Sequence, residues 1–576
     1  MERESLSVLP IRKLLIFAAI VGVFCFVLNN AAVVSGMLHP PAGYMPRYVL
    51  ANLDVPIYLT WMQLAPQHWL LPNLHAPWTT SDSLLSPLVL LVGKLSALLG
   101  LTPVQGFQVF HLVFYFAAAF GLGTVLWTFC TSRRQRICAA VAIFAALPLP
   151  LLALGWTRLF GKDLPLFWIG LIEYSYETAD GLFRGGGSNS FTLSFGTAVS
   201  LFAIALLTRF VRNRQRRDLM LLALVTFLSG FFHPVEVFVI TAASLVSFGI
   251  LAWREGSTSV FLSNAAVIGS AAFLGVLPYA VLTSTSEWVR DVSRLYQWNT
   301  NSVLWVPLVF GIPTIVVVYL LLLRFRLSTP GDEVLRTWFI VTVALLFVPG
   351  LPLKLHMFDG FSYVAAILLV RLFAGNAQIR SLVARRPRLI PTTLAAGILI
   401  CLPGYAALYH QIWMDGRSAE PNLLLNAVRP QEEPALIDWL RQNVERDQLI
   451  LGPGEIAPWL ATVPMPSLAS HDLFGITYDQ QSKVTGDFYM GKLTDREAEA
   501  FLTRYGIHYV VMPNQSSARR FMADRKAIGA VGLWTIYEIP EGNRLPYPGL
   551  ASLRPDLAGQ NDFGSLVAAA RKMFLH

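Results

Sequence analysis

Charge is what this sequence has least of. Only 14% of its 576 residues are Asp, Glu, Lys or Arg, where a water-soluble domain usually carries about 25%. A soluble chain of this length could not cover its surface with so few charges, so lipid must solvate much of it. Cysteine is scarce too. Cys25, Cys130, Cys138 and Cys401 all lie in or beside apolar stretches, which argues against a disulfide framework and a cysteine-based metal site. There is no Gly-Lys-Ser/Thr phosphate loop and no GxGxxG after a strand pattern, so nucleotide hydrolysis finds no support. No internal repeat and no low-complexity tract is present.

What the chain has instead is apolar length. Hydrophobic residues make up 55%, and the mean hydropathy is +0.54. A membrane-crossing helix needs about 20 such residues. Eleven stretches are read as spans, near 11–32, 106–130, 136–156, 190–210, 218–233, 235–253, 261–284, 302–325, 336–350, 361–375 and 389–411. The apolar N-terminal stretch from Leu14 to Ala32 carries no clear cleavage pattern and counts as the first span, not a signal peptide. The fold class expected is mainly α, a polytopic membrane domain over 1–411, followed by a soluble α/β domain over 412–576.

The net charge of +9 would suggest nucleic acid in a soluble protein. Here the arginines cluster between apolar stretches, where they report topology, and no nucleic-acid partner is expected. The segment 84–101 is apolar, but Lys94 sits in its middle and Pro87 near its start. Read as an interfacial helix on the outer surface, it puts every basic run inside: Arg12/Lys13, Arg133/Arg134/Arg136, Arg209 to Arg217, Arg254, Arg324/Arg326/Arg336 and Arg380 to Arg388. The N-terminus is then cytoplasmic and the C-terminus outside. The outer segments are 33–105, 157–189, 285–301 and the tail. In the tail, 433–444 has apolar residues at helical spacing, 448–452 reads as a buried strand, 495–505 as a helix, and 507–512 and 533–539 as strands.

Candidate chemistry lies on the outer side. Asp54 stands about 20 residues beyond the first span, ahead of a helix expected over Ile57 to Leu64. A carboxylate there could accept a proton from a hydroxyl or hold a divalent cation against a phosphate; the alternative is a helix N-cap. The segment Leu353 to Gly360 brings Lys354, His356 and Asp359 to the outer end of the ninth span. Its cations could neutralise a lipid-linked phosphate, or Lys354 could simply snorkel to the interface while His356 caps a helix end. The 157–189 loop offers Arg158, Lys162, Asp163, Glu173, Glu177 and Arg184, the last beside Gly185-Gly186-Gly187. Arginine beside exposed backbone N–H groups suits an anion, and a solvated loop with ion pairs is the plainer reading. His233 and Glu236 are expected at an outer turn, open to water. His39, His68 and His75 lack zinc-type spacing, so no metal site is assigned.

An acidic residue in the first outer loop, an aromatic stretch (Tyr58, Trp61, Trp69, Trp78), a Pro-led interfacial helix and a span closing on a basic turn together resemble the GT-C superfamily. These membrane glycosyltransferases take a sugar from a polyprenyl-phosphate carrier. Asp438 to Arg441 and Tyr505 to Val511 are similar to stretches in their tails, so the resemblance spans the whole layout. It implies that Asp54 is the general base, that Lys354, His356, Arg184 and Arg158 contact the carrier phosphate with Glu173 and Asp359 in the same site, and that the sugar, hexosyl or pentosyl, is transferred with inversion at a bacterial inner membrane. Membrane lipid and the lipid-linked sugar are the partners implied. Many relatives carry a second acidic residue beside the first. This chain has none there, which counts against metal binding at Asp54; no cofactor is assigned, a divalent cation being the one candidate. A lipid-linked-sugar transporter or flippase and a non-catalytic envelope assembly protein are the alternatives from other classes.

Overall fold

The computed structural model describes residues 11–50, 54–75, 83–84, 86–162, 191–295, 310–322, 329–348, 351, 360–419, 426–454, 456–463, 465–468, 478–540 and 552. The chain divides into two compact units, and neither is contiguous in sequence. One comprises Met1–Ala31, Gln108–Pro278 and Asn299–Met414. The other comprises Ala32–Phe107, Tyr279–Trp298 and Asp415–His576.

The first unit is helical. Each stretch read as a span carries a helix, but the lengths divide them. Six helices are long and apolar enough to cross a membrane: Ile11–Asn29, Pro103–Phe129, Phe191–Asn213, Glu236–Glu255, Thr258–Thr285 and Leu389–Gly416. Two helix pairs pass the same test only when taken together and are sharply broken, Arg133–Phe144 with Leu149–Leu159, bent by 73°, and Phe361–Gly375 with Ala377–Arg385, bent by 80°. Pro148 and Pro150 account for the first break, since proline has no N–H and disfavours a helix before it. At the second break Asn376 leaves helical geometry and caps the following helix by accepting from the Ile379 N–H at 3.0 Å. The remaining three helices, Arg216–Phe232, Gly311–Leu322 and Pro330–Leu345, have 17, 12 and 16 residues. The length test is therefore met by six described helices, or eight with each broken pair taken as one, against the eleven expected. The protein is a multi-pass membrane protein.

Several hydroxyls inside this unit are satisfied locally. Thr124, Thr128, Thr226, Thr314 and Thr342 each donate to a carbonyl one turn back, at 2.7–3.1 Å, as a hydroxyl must where no water can reach it. Small residues let helices meet closely. Gly230 faces Gly275, where an added Cβ would stand 3.1 Å from the neighbouring backbone. Ion pairs gather at helix ends: Arg371 to Asp332 at 2.5 and 2.9 Å, Arg209 to Asp218 at 3.1 Å and Arg254 to Glu333 at 2.6 Å.

The second unit holds the β-structure. Strand β1 (Tyr44–Pro46) pairs antiparallel with β4 (Val428–Pro430), and β2 (Leu71–Pro72) with β3 (Ser83–Leu84). The tail forms a four-stranded sheet from β5 (Leu449–Leu451), β6 (Ile507–Pro513), β7 (Lys526–Val531) and β8 (Trp534–Glu538), in the order β5-β6-β8-β7. β5 and β6 are parallel and the other pairings antiparallel. Alternation along β6 sends Val510 and Met512 to one face, against Phe488, Phe501 and Leu502. It sends Tyr509 and Val511 to the other, against Leu436, Leu440 and Leu460. Helices cover both faces, so β6 is apolar along Tyr509–Met512 on both sides. The expected tail helices and strands are present at Glu433–Asn443, β5, Asp495–Arg504, β6 and β8. β7, broken by Gly529 under the Trp439 ring, had no expectation.

Candidate active site at Asp54

Asp54 opens the helix Asp54–Leu64. Its place is the first helical turn, where an acidic side chain complements the helix dipole and Pro56 lacks only an N–H that would have no partner. The rest of the helix is anchored. Val55, Ile57, Leu59, Trp61 and Met62 are buried, Thr60 donates to the Pro56 carbonyl at 2.8 Å, and Asp54 itself is half-buried. A half-buried carboxylate on an immobilised helix start is a suitable place for a proton acceptor.

The segment read as an interfacial helix does the anchoring. It forms Pro87–Leu98, 12 residues or about 18 Å, short of the ~30 Å hydrocarbon core. It packs on Asp54–Leu64 through Gly93, where a Cβ would lie 2.6 Å from the Ala65 Cβ and 2.8 Å from the Met62 Cα. Lys94, which looked out of place in an apolar run, donates to the Ala65 carbonyl at 2.7 Å and lies 4.1 Å over the Trp69 ring. It thus satisfies a backbone acceptor just past the C-terminal end of the Asp54 helix.

The tail reaches the same neighbourhood within this unit. Arg47 makes two hydrogen bonds of 2.7 Å to the two carboxylate oxygens of Glu433, donates through Nε to the Val428 carbonyl at 3.1 Å, and lies 4.0 Å from the Trp459 ring centroid. Both charged side chains are almost fully buried, 5% and 1% exposed. Trp459 belongs to the short helix Ala457–Leu460, which packs on Asp54–Leu64. The Ser467 N–H donates to the Leu74 carbonyl at 2.9 Å, a second tie between the first long segment and the tail. None of this was singled out from the sequence. The signal available was an arginine in the first outer loop and a glutamate opening a tail helix, 386 positions apart.

The other expected site residues fare differently. Lys354, His356, Asp359, Arg184 and Glu173 lie outside the described residues, as do Asp163, Glu177 and Trp78. Arg158 is described, in the last turn of Leu149–Leu159, and is exposed enough to donate to the Gln411 side chain at 2.8 Å, a neutral acceptor. Lys162 is exposed. Gly360, with φ +85, caps Phe361–Gly375 in a left-handed conformation that suits glycine. His233 and Glu236, expected in water, are placed otherwise. The Glu236 side chain is 1% exposed and both its oxygens lie 2.8 Å from His233 Nδ1. The turn folds inward because a carboxylate at the start of Glu236–Glu255 finds its partner three residues earlier. Among the described residues no three His, Cys, Asp or Glu side chains gather to hold a metal ion.

The sequence matches no protein-family model and no curated relative. Among solved structures the chain is similar to the arabinofuranosyltransferase AftD from mycobacteria, with TM-score 0.50 and 15% identity over 94% of this chain and 40% of that one. It thus spans less than half of AftD. The archaeal oligosaccharyltransferase AglB from Archaeoglobus fulgidus, in complex with an inhibitory peptide and a dolichol-phosphate, aligns at TM-score 0.40 and 16% identity, over 86% of this chain and 69% of that one. ArnT from Cupriavidus metallidurans aligns at 0.46 and 12%, over 90% and 98%. These neighbours are GT-C superfamily glycosyltransferases. At such identities the likeness concerns the fold, and it is the AftD alignment that carries it: the chain has a GT-C-like fold, a helical membrane unit joined to a C-terminal α/β sheet.

Proposed function

We propose that the protein is a membrane glycosyltransferase that moves a sugar from a polyprenyl-phosphate carrier to an acceptor on the outer face of a bacterial inner membrane. Its N-terminus is cytoplasmic and its tail external. The observation that carries the reading is Asp54, a half-buried carboxylate at the start of an anchored helix in a GT-C-like fold. The acceptor hydroxyl oxygen attacks the anomeric carbon while Asp54 takes its proton. The bond from that carbon to the carrier phosphate breaks, and polyprenyl phosphate leaves with the electron pair. One displacement inverts the anomeric centre. Lys354, Arg184 and His356 are assigned to the phosphate, where positive charge stabilises the leaving group, with Arg158, Glu173 and Asp359 in supporting contacts.

The test is sugar transfer by purified protein with a panel of lipid-linked donors. Asp54→Asn should lower the rate by about 10²-fold or more, the usual contribution of a positioned base. Transfer at the wild-type rate would remove Asp54 from the chemistry. A flippase reading would draw on buried ionisable groups, and Glu236 and Asp332 are buried. Both, however, stand in the first turn of their helices and are held by His233 and Arg371. An acid paired at the first turn of its helix complements the helix dipole there, which accounts for both without a relay through the bilayer.

A further inference from the structure

We propose that a cleft at the turn between the helices Phe191–Asn213 and Arg216–Phe232 binds the headgroup of an anionic glycerophospholipid from the surrounding bilayer. The cleft, of about 470 Å³, lies between that turn and the helix Thr258–Thr285. Phe191–Asn213 is long enough to cross a membrane, so the turn that ends it sits at the headgroup level.

The turn is built to present charge. Arg214 adopts φ +59, a left-handed conformation that costs a side-chain-bearing residue energy. It is held there by hydrogen bonds from Nε and Nη2 to Glu255 Oε1, at 3.1 and 2.9 Å, and by Nη1 donating to the Val211 carbonyl. Glu255 is the one carboxylate lining the cleft among the described residues, and this pairing neutralises it. Arg216 lines the cleft as well. It is exposed and makes no ion pair among the described residues, and Arg217 beside it is the same. Asp218, the nearest other acid, is buried and pairs with Arg209 at 3.1 Å. The balance facing the cleft is therefore positive.

The order of groups along the cleft fits an amphiphile and not a free anion. Arginine stands at the membrane boundary. The walls are apolar, with Leu219, Met220, Val260 and Val267, and the Asn264 amide sits among them. Thr258–Thr285 is the least buried of the six long apolar helices, 11% over its best window, and Leu262 beside the cleft is 64% exposed. An acyl chain can lie along that surface while the phosphate meets Arg216. Basic pockets between membrane helices recognise anionic headgroups by this combination.

The experiment is native mass spectrometry of the full-length protein, with phosphatidylglycerol, phosphatidylcholine and inorganic phosphate each added in turn. Wild type should retain phosphatidylglycerol preferentially. Arg216→Gln should weaken retention about fivefold, the effect of one basic residue near an anionic surface. Arg214→Gly relaxes the backbone while removing the guanidinium and leaving Glu255 unneutralised, so it should weaken retention further without lowering the thermal midpoint. Arg386→Gln, an exposed arginine elsewhere, should leave the preference intact. Equal retention of the two lipids, a preference that survives both cleft substitutions, an equal loss with Arg386→Gln, or full displacement by inorganic phosphate would each overturn the proposal.

Discussion

Each unit of the molecule keeps an arginine–carboxylate pair almost wholly out of water, and the two pairs do different work. In the membrane unit Arg371 and Asp332 are 39 positions apart and join two helix ends. In the second unit Arg47 and Glu433 are 386 apart and tie the first long segment to the tail. The membrane unit needs its pair only where helices end, because elsewhere each backbone group is satisfied within its own helix. The second unit has short strands drawn from distant parts of the chain, so its architecture depends on a few contacts between those segments.

The largest effect follows from breaking that dependence. Removing one partner leaves a buried charge uncompensated, at a cost of about 3–5 kcal/mol. Glu433→Gln should therefore destabilise the second unit by that amount. The loss should show as faster amide hydrogen exchange in β1, β4 and the Asp54 helix, with the exchange of Phe191–Asn213 and Phe361–Gly375 unchanged. Asp332→Asn should give the opposite map. If both substitutions loosened both units equally, the contrast between the units would be wrong.

A smaller effect sharpens the comparison within the second unit. Gly93 lets Pro87–Leu98 approach the Asp54 helix, and the atoms in the way are the Ala65 Cβ and the Met62 backbone, which cannot rotate aside. Gly93→Ala should cost about 1–3 kcal/mol, the usual range for overpacking. It should also lower sugar transfer with little change in membrane insertion. Unchanged thermal midpoint and unchanged rate would mean that the two helices slide apart freely, and that the anchoring assigned to Asp54 is not there.

How much of this was legible in the sequence follows from the same division. Hydropathy found the apolar helices of the membrane unit because lipid imposes one rule over about 20 consecutive residues, but not the polar Ala377–Arg385, which was expected only as a basic run. It missed the 73° break, since a mean over a window does not register Pro148 and Pro150. Periodicity found β5, β6 and β8, whose Leu449, Val510 and Ile536 are buried, but not β7, whose Lys526 and Ala527 are exposed at the sheet edge. The pairing of Tyr44–Pro46 with Val428–Pro430 left no local trace, because three-residue strands carry no period. Asp54 was legible as a position in a layout. Its support by Gly93, Lys94 and Trp459 was not, because each of those contacts is a tertiary one.

The smallest effect tests whether the tail also has stability of purely local origin. Thr494 caps the helix Asp495–Arg504. Its hydroxyl accepts from the Glu497 N–H at 3.3 Å, and the Glu497 carboxylate accepts from the Thr494 N–H at 2.8 Å. Thr494→Ala should cost about 1 kcal/mol, a typical loss for an N-cap. The backbone hydrogen bond from Thr494, and then its hydroxyl, hold Glu497 below the usual carboxylate range. A depressed carboxylate contributes its stability above its unfolded pKa and loses it as pH falls through the folded one. The cap should therefore weaken on acidification below about pH 4, and the gap between the wild type and Thr494→Ala melting curves should narrow there as the hydroxyl's bond to the carboxylate is lost. A difference that stayed constant from neutral pH down through that range would show that Glu497 takes no part, and that the hydroxyl alone caps the helix.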